Sequence, residues 1–146
     1  MKDIPEAADL LATARESLLA DLLPALPKER RYDGLMIANV IAIAARELRL
    51  GGAAAQNEAA RLAFLLDEIA PSSAARTEAH SADLAALRRA VCTAIRAGHF
   101  DDSARAALAA AELLRTLAER VAISNPKALR PEPPAPDTVA RRATPR

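Results

Sequence analysis

The amino-acid sequence predicts an all-α protein, with about five helices in a single bundle and a disordered, Pro/Arg-rich C-terminal tail. Apolar residues recur at intervals of three and four along several segments. No segment alternates apolar and polar residues with the period of a strand. Hydrophobic residues make up 51% of the chain and aromatic residues 2%, so Leu, Ile, Val and Ala must build the core. The 146 residues suffice for one helical domain, which we place at 1–126.

The first helix is predicted to begin near Pro5, with Asp3 as its N-cap, because aspartate caps helix N-termini and proline fits the first turn. Its apolar positions have helical spacing, at Leu11, Ala14, Leu18 and Leu22. Pro24 and Pro27 are expected to end this helix, because proline lacks the backbone N–H that a helix needs.

The second helix is predicted from about Tyr32 to Leu50, and the third from about Ala54 to Ile69. The boundary between them is placed at Gly51-Gly52, because glycine commonly ends helices. Within the second helix, small side chains recur on one face, at Ala38, Ala42 and Ala45. Such a seam lets another helix approach closely, so we expect a neighbouring helix there.

The fourth helix is predicted from about Ala82 to Ala97, with Ser81 as its cap and Asp83 in its first turn. Gly98 is its expected C-terminal glycine. The fifth helix is expected to continue to about Ser124, where Asn125-Pro126 breaks it. Its N-cap is left open among three residues, and Phe100 is expected to pack the preceding turn into the core. The three candidate caps are Asp101, Asp102 and Ser103.

Residues 127–146 are predicted to be a disordered basic tail. The segment contains five prolines and few large apolar side chains, so it cannot bury enough surface to offset the loss of chain entropy. Its formal charge is +3, against −2 for residues 1–126. The tail is interpreted either as an electrostatic tether or simply as a solvated chain end.

A polar stripe interrupts the otherwise apolar second helix. Asn39 and Arg46 lie seven residues apart and fall close together on a helical wheel, and Leu35 continues their stripe. These three residues are the candidate interface. Asn39 is either a buried amide paired with a helix end or a neighbouring side chain, or it joins Arg46 in contacting a partner protein or its ligand.

The sequence offers no recognisable catalytic, cofactor-binding or metal-binding motif. It has no glycine-rich phosphate loop and no nucleophile elbow, and its two histidines do not have metal-ligand spacing. We therefore expect no intrinsic enzyme activity, no cofactor and no metal. The slightly acidic body and scarcity of aromatics argue against nucleic-acid binding. The short uncharged run and the absence of a signal-peptide pattern argue against a membrane role, and the single cysteine fits a cytoplasmic protein.

Three stretches of the sequence resemble a bacterial family of small helical proteins of unassigned chemistry. They are LLPALP, IANVIAIAARELRLG, and IRAGHFDD followed by LRTLAERVAISNPKAL. The family's genes lie beside those of aminoglycoside-phosphotransferase-like kinases and acyl-CoA dehydrogenases, and the resemblance extends to the small accessory subunit of the 4-hydroxyacyl-CoA kinase of levulinate catabolism. It covers about residues 4–129. The matching positions are Asn39, Arg46, Glu47, Leu48, Gly51, Arg115, Ser124, Asn125 and Pro126.

The sequence departs from the family pattern at Asp33 and Leu35, where the family has a histidine-like and an arginine position. An arginine at 35 would lengthen the polar stripe, so its absence argues against anion binding by that stripe. The resemblance implies a non-catalytic accessory subunit that binds and supports a phosphotransferase-like kinase acting on a hydroxyacyl-CoA. The alternative is a self-contained helical homo-oligomer that binds an acyl or CoA-like ligand.

Overall fold

The structure, a computed structural model, describes residues 5–69 and 83–130, and these residues are helical without any strand. The all-α prediction is therefore confirmed. Within these ranges the structure has four α-helices of more than two turns: α1 (Ala7–Ser17), α2 (Lys28–Ile69), α3 (Leu84–Arg96) and α4 (Ser103–Ser124). Each of α1, α3 and α4 packs on α2, which is the centre of the fold.

The first helical segment extends beyond α1. A π-helical turn, Leu18–Leu22, leads into a last α-helical turn, Leu23–Ala25. Pro24 therefore lies inside the segment and does not end it. The wider π turn directly precedes this proline, whose ring would otherwise clash with the carbonyl group four residues earlier. The chain becomes extended only at Leu26, the residue before Pro27, as that position favours.

The predicted break at Gly51-Gly52 is wrong, because α2 continues through both glycines for 42 residues. Neither glycine has the positive φ that a helix-ending glycine adopts. Each glycine costs about 1 kcal/mol in a helix relative to alanine. Tertiary contacts offset this cost, because α4 binds α2 on both sides of the pair, through Arg46 before it and Arg61 after it.

The small-residue seam packs against α1. Ala38 and Ala45 of α2 are buried, as is Ala8 of α1. Gly34 extends the seam: a Cβ atom there would lie 2.8 Å from Leu23 Cδ1. The predicted close approach of a second helix is thereby confirmed, and the approaching helix is the one that precedes α2 in the chain.

The main core lies on the other half of α2. Leu62 packs with Leu87 and Val91 of α3 in one buried cluster. Leu65 packs in a second cluster with the buried residues Ala94, Phe100 and Ala109. Phe100 therefore packs into the core as predicted, in the turn between α3 and α4. The clusters involve α2, α3 and α4, so the larger buried apolar side chains pack around this half of α2.

Local capping sets the ends of α3 and α4. Asp83 is the N-cap of α3, where its side chain accepts a hydrogen bond from the Ala85 N–H. The predicted start at Ala82 and the predicted cap Ser81 lie outside the described residues. Gly98 has a φ of 79° just after α3, as its predicted role requires. Asp102, one of the three candidate caps, accepts from the Arg105 N–H at 2.9 Å.

The C-terminal end of α4 falls at Ser124, as predicted. Asn125 is its C-cap, and a short 3-10 turn, Pro126–Leu129, follows. The first residues assigned to the tail are therefore helical rather than disordered. The remainder of the predicted tail, from residue 131, lies outside the described residues.

Candidate functional site

The structure separates the three residues of the predicted polar stripe. Arg46 is partly buried, and its Nε donates a hydrogen bond of 2.6 Å to the Ile123 carbonyl group. Its Nη2 lies 3.5 Å from the Ser124 carbonyl oxygen. Arg46 thus binds the C-terminal carbonyl groups of α4, where a positive charge also interacts favourably with the helix dipole.

Asn39 and Leu35 are exposed on α2. The interpretation of Asn39 as a buried amide is therefore wrong. Asn39 lies seven residues before Arg46 on α2, which corresponds to about 10 Å along the helix axis. The carbonyl groups at the end of α4 contact Arg46 and not Asn39. Asn39 and Leu35 remain available to a partner, whereas Arg46 makes an intramolecular contact.

The N-terminal half of α2 carries a large exposed apolar surface, because α1 covers only one side of it. The exposed fraction of each contributing residue is between 45% and 70%. Extended exposed apolar surface on a monomer commonly marks an interaction site. This α2 apolar surface consists of Tyr32, Leu35, Met36, Ile37, Val40 and Leu48.

A buried carboxylate connects α2 to the two helices that follow. Glu58 is buried, and Arg88 of α3 donates to its two oxygens at 2.7 and 2.8 Å in a fork geometry. Arg120 of α4 lies 3.7 Å from the same carboxylate. The hydrogen bonds from Arg88 lower the pKa of Glu58 despite its burial, so Glu58 is held as a carboxylate.

A second ion cluster joins α2 to α4 alone. Arg61 hydrogen-bonds to Glu119 and lies 3.7 Å from Glu112. Asn57 donates to Glu119 at 3.3 Å, and Arg115 lies 2.7 Å from Glu112. The hydrogen bond from Arg61 lowers the pKa of Glu119. These charged side chains pair with one another between α2 and α4, so the cluster has a structural role.

A groove of about 410 Å³ opens where α2, the start of α3 and the end of α4 meet. Arg88 and Arg120 line it together with Glu47 and Glu58, so charges of both signs face the groove. Its other lining residues are small, apolar or hydroxylic: Ile43, Gly51, Ala54, Ala55, Leu84, Ile123 and Ser124. Its size and lining suit a small organic ligand better than an ion.

A smaller cavity of about 180 Å³ lies between α1 and α2. Three arginines from the two helices line it, Arg15, Arg46 and Arg49. The sequence-based prediction included only Arg46 among them. The pair Arg46 and Arg49, three residues apart beside the alanine seam, was a signal for a basic patch. Arg15 could be added only once α1 was known to pack on that seam.

Within residues 5–69 and 83–130, no helix is both long enough and apolar enough to span a membrane. The same residues contain no group of three or more His, Cys, Asp or Glu side chains placed to hold a metal ion.

The fold and its surfaces thus define a small all-α protein in which one long helix carries an apolar surface and two arginine-lined cavities. The chain belongs to the family described as a domain of unknown function, DUF6285, whose model matches residues 24–128. That range takes in α2, α3 and α4 and begins at Pro24, in the last turn of the first helical segment. Neither a curated protein nor a solved structure matches the chain.

Proposed function

We propose that this chain is a non-catalytic accessory subunit that docks on a larger protein through the α2 apolar surface. This proposal rests on the exposure of six large apolar side chains on the N-terminal half of α2. Leaving that surface in water is unfavourable, by about 25 cal/mol for each Å². Burial of such side chains at the centre of an interface, with polar residues at its rim, is typical of a standard interface of roughly 800 Å² per partner.

The proposed partner is an aminoglycoside-phosphotransferase-like kinase that acts on a hydroxyacyl-CoA. This choice rests on the family resemblance described above. The kinase supplies ATP, magnesium and the residues for phosphoryl transfer. The accessory subunit supplies a rigid helical surface, with Asn39 and Leu35 within or beside the contact, and supports the activity of its partner.

A charge placed in the α2 apolar surface tests the docking. In Val40→Glu, a carboxylate replaces an isopropyl group that is 60% exposed, so the fold is preserved. The matched control is Leu114→Glu, which places the same charge at a leucine of α4 that is 63% exposed. We expect Val40→Glu to weaken association with the kinase at least tenfold, equivalent to about 1.4 kcal/mol, and Leu114→Glu to leave it unchanged.

The chain is co-expressed with a phosphotransferase-like kinase encoded by a neighbouring gene. Association is then measured by size-exclusion chromatography with light scattering, and activity by a phosphorylation assay. We expect co-elution, higher kinase activity with the subunit than without it, and no ATP turnover by the subunit alone. Separate elution together with unchanged kinase activity would contradict the proposal. A dependence on Leu114 instead of Val40 would assign the docking to α4 and overturn the role of α2.

The alternative function is a helical homo-oligomer that binds an acyl or CoA-like ligand. The groove of about 410 Å³ favours it, because arginines stand beside apolar walls there. In that case the chain alone elutes as an oligomer, Val40→Glu converts it to a monomer, and an acyl-CoA binds without any kinase present.

A further inference from the structure

The cavity between α1 and α2 concentrates positive charge. Three arginines line it, and its other lining residues are small or apolar: Leu11, Ala12, Ala42 and Ala45. Within the part of the chain that the structure describes, Asp9 is the one carboxylate paired with these arginines, through Arg49 at 2.7 Å. Two of the three positive charges, on Arg15 and Arg46, therefore have no carboxylate partner among residues 5–69 and 83–130.

Each of the three arginines is anchored by one part of its guanidinium group. Arg15 donates through Nε to the Ala38 carbonyl oxygen at 3.2 Å, and Arg46 donates to the end of α4. Arg49 donates through Nη2 to Asp9 and, at 3.4 Å, to the Ala8 carbonyl oxygen. A guanidinium group has five N–H donors, so each side chain is held in place while further donors remain for a ligand.

From this arrangement we propose that the cavity binds a phosphate group, with Arg15 and Arg46 as its principal ligands and Arg49 at its side. Two arginines that have no carboxylate partner among the described residues match a doubly charged oxyanion. Guanidinium forks match the spacing of phosphate oxygens and bind them with charge-assisted hydrogen bonds. The apolar walls strengthen this attraction, because they lower the local dielectric constant.

The size of the cavity limits the ligand. A volume of about 180 Å³ accommodates a phosphate group but falls below the 300–1,000 Å³ of a site for a whole drug-sized molecule. The ligand is therefore inorganic phosphate or the phosphate end of a monoester whose remainder extends out of the cavity. This inference is independent of the proposed function, because the cavity and the α2 apolar surface use different residues.

The test is a titration of the full chain with inorganic phosphate and, separately, with glycerol 3-phosphate, at constant ionic strength. Binding is followed by calorimetry and by the backbone amide NMR signals of residues 38–49. We expect saturable binding with shifts centred on the Ala42–Arg46 turn. Tighter binding of glycerol 3-phosphate identifies a monoester as the natural ligand, whereas tighter binding of inorganic phosphate identifies the free ion.

Variants separate a built site from general charge attraction. Arg15→Gln removes one ligand and is expected to weaken phosphate binding at least tenfold. Arg30→Gln is the matched control, because Arg30 is an exposed arginine of α2 that pairs with Asp33 outside the cavity. Should Arg15→Gln fail to fold, Arg49→Gln replaces it, with an expected loss of about threefold because Asp9 already neutralises part of its charge.

Two results would overturn the proposal. One is that Arg15→Gln, or its replacement Arg49→Gln, binds phosphate with the same affinity as the control Arg30→Gln. The other is competition by chloride or acetate at the same concentration as phosphate, which would indicate charge screening without a site. Val40→Glu is expected to bind phosphate like the unmodified chain, so failure of the docking proposal leaves this result interpretable.

Discussion

Arg61 is predicted to be the most important single charge for holding α4 on α2. Its side chain is only 19% exposed, and it faces Glu112 and Glu119, which are 11% and 31% exposed. Arg61→Ala leaves two largely buried carboxylates without their shared partner. Breaking a fully buried ion pair costs about 3–5 kcal/mol, and an exposed pair contributes about 0–1 kcal/mol.

The low exposures place Arg61 nearer the buried limit, but the loss stays below that limit because Asn57 and Arg115 still contact the two carboxylates. We therefore expect Arg61→Ala to lower the free energy of unfolding by about 2–3 kcal/mol. For a chain of this size, that corresponds to about 4 °C in Tm per kcal/mol. The assay is urea unfolding followed by circular dichroism, with Tm as a second measure.

The matched control is Arg115→Ala, which also removes an arginine that pairs with Glu112. Arg115 lies 2.7 Å from Glu112, but its side chain is 66% exposed. Arg115→Ala is expected to cost less than about 0.5 kcal/mol. Equal losses from Arg61→Ala and Arg115→Ala would refute the reasoning, because burial would then make no difference to the strength of these pairs.

Three more stability predictions follow from the described contacts. Because the folded pKa values of Glu58 and Glu119 are lowered, their stabilisation is present above the unfolded pKa of about 4.3 and is lost as the pH falls below it. Urea midpoints should therefore fall from pH 5 to pH 3, and less steeply in Glu58→Gln. Gly52→Ala, which meets no atom within 4 Å, should raise the free energy of unfolding by about 0.5–1 kcal/mol, and Gly34→Ala should give a smaller gain or a loss in the same urea assay. Asp102→Ala removes the N-cap of α4 and should cost about 1 kcal/mol in thermal unfolding; an unchanged Tm would contradict that role.

Features set by neighbouring residues were predictable from the sequence. Gly98 and Phe100 were assigned their roles correctly, and Asp102 was among the three candidate caps, because a positive φ, a buried aromatic and a capping side chain act over a few residues. Ala38 and Ala45 indicated a helix contact because small side chains at helical spacing let a second helix approach closely in any fold. Their spacing did not indicate which helix would pack against this face of α2.

Features set by distant residues were not predictable. Gly51-Gly52 would end an isolated helix, but Arg46 and Arg61 hold α4 across the pair. The partner of Arg46 lies 77 positions away along the chain, and no local pattern reveals that pairing. The cavity of Arg15, Arg46 and Arg49 likewise exists only because α1 folds back on α2.

The seam of small residues between α1 and α2 has a consequence for local unfolding. Ala8, Ala38 and Ala45 bury little apolar area, whereas the contacts of α3 and α4 involve leucine, valine and phenylalanine. Segments with few buried apolar contacts open at lower free energy than the rest of a protein. Backbone amides of α1 should therefore exchange their hydrogens before those around Leu65. Because opening of α1 would also remove Arg15 from its cavity, a ligand held by that cavity would slow exchange throughout α1.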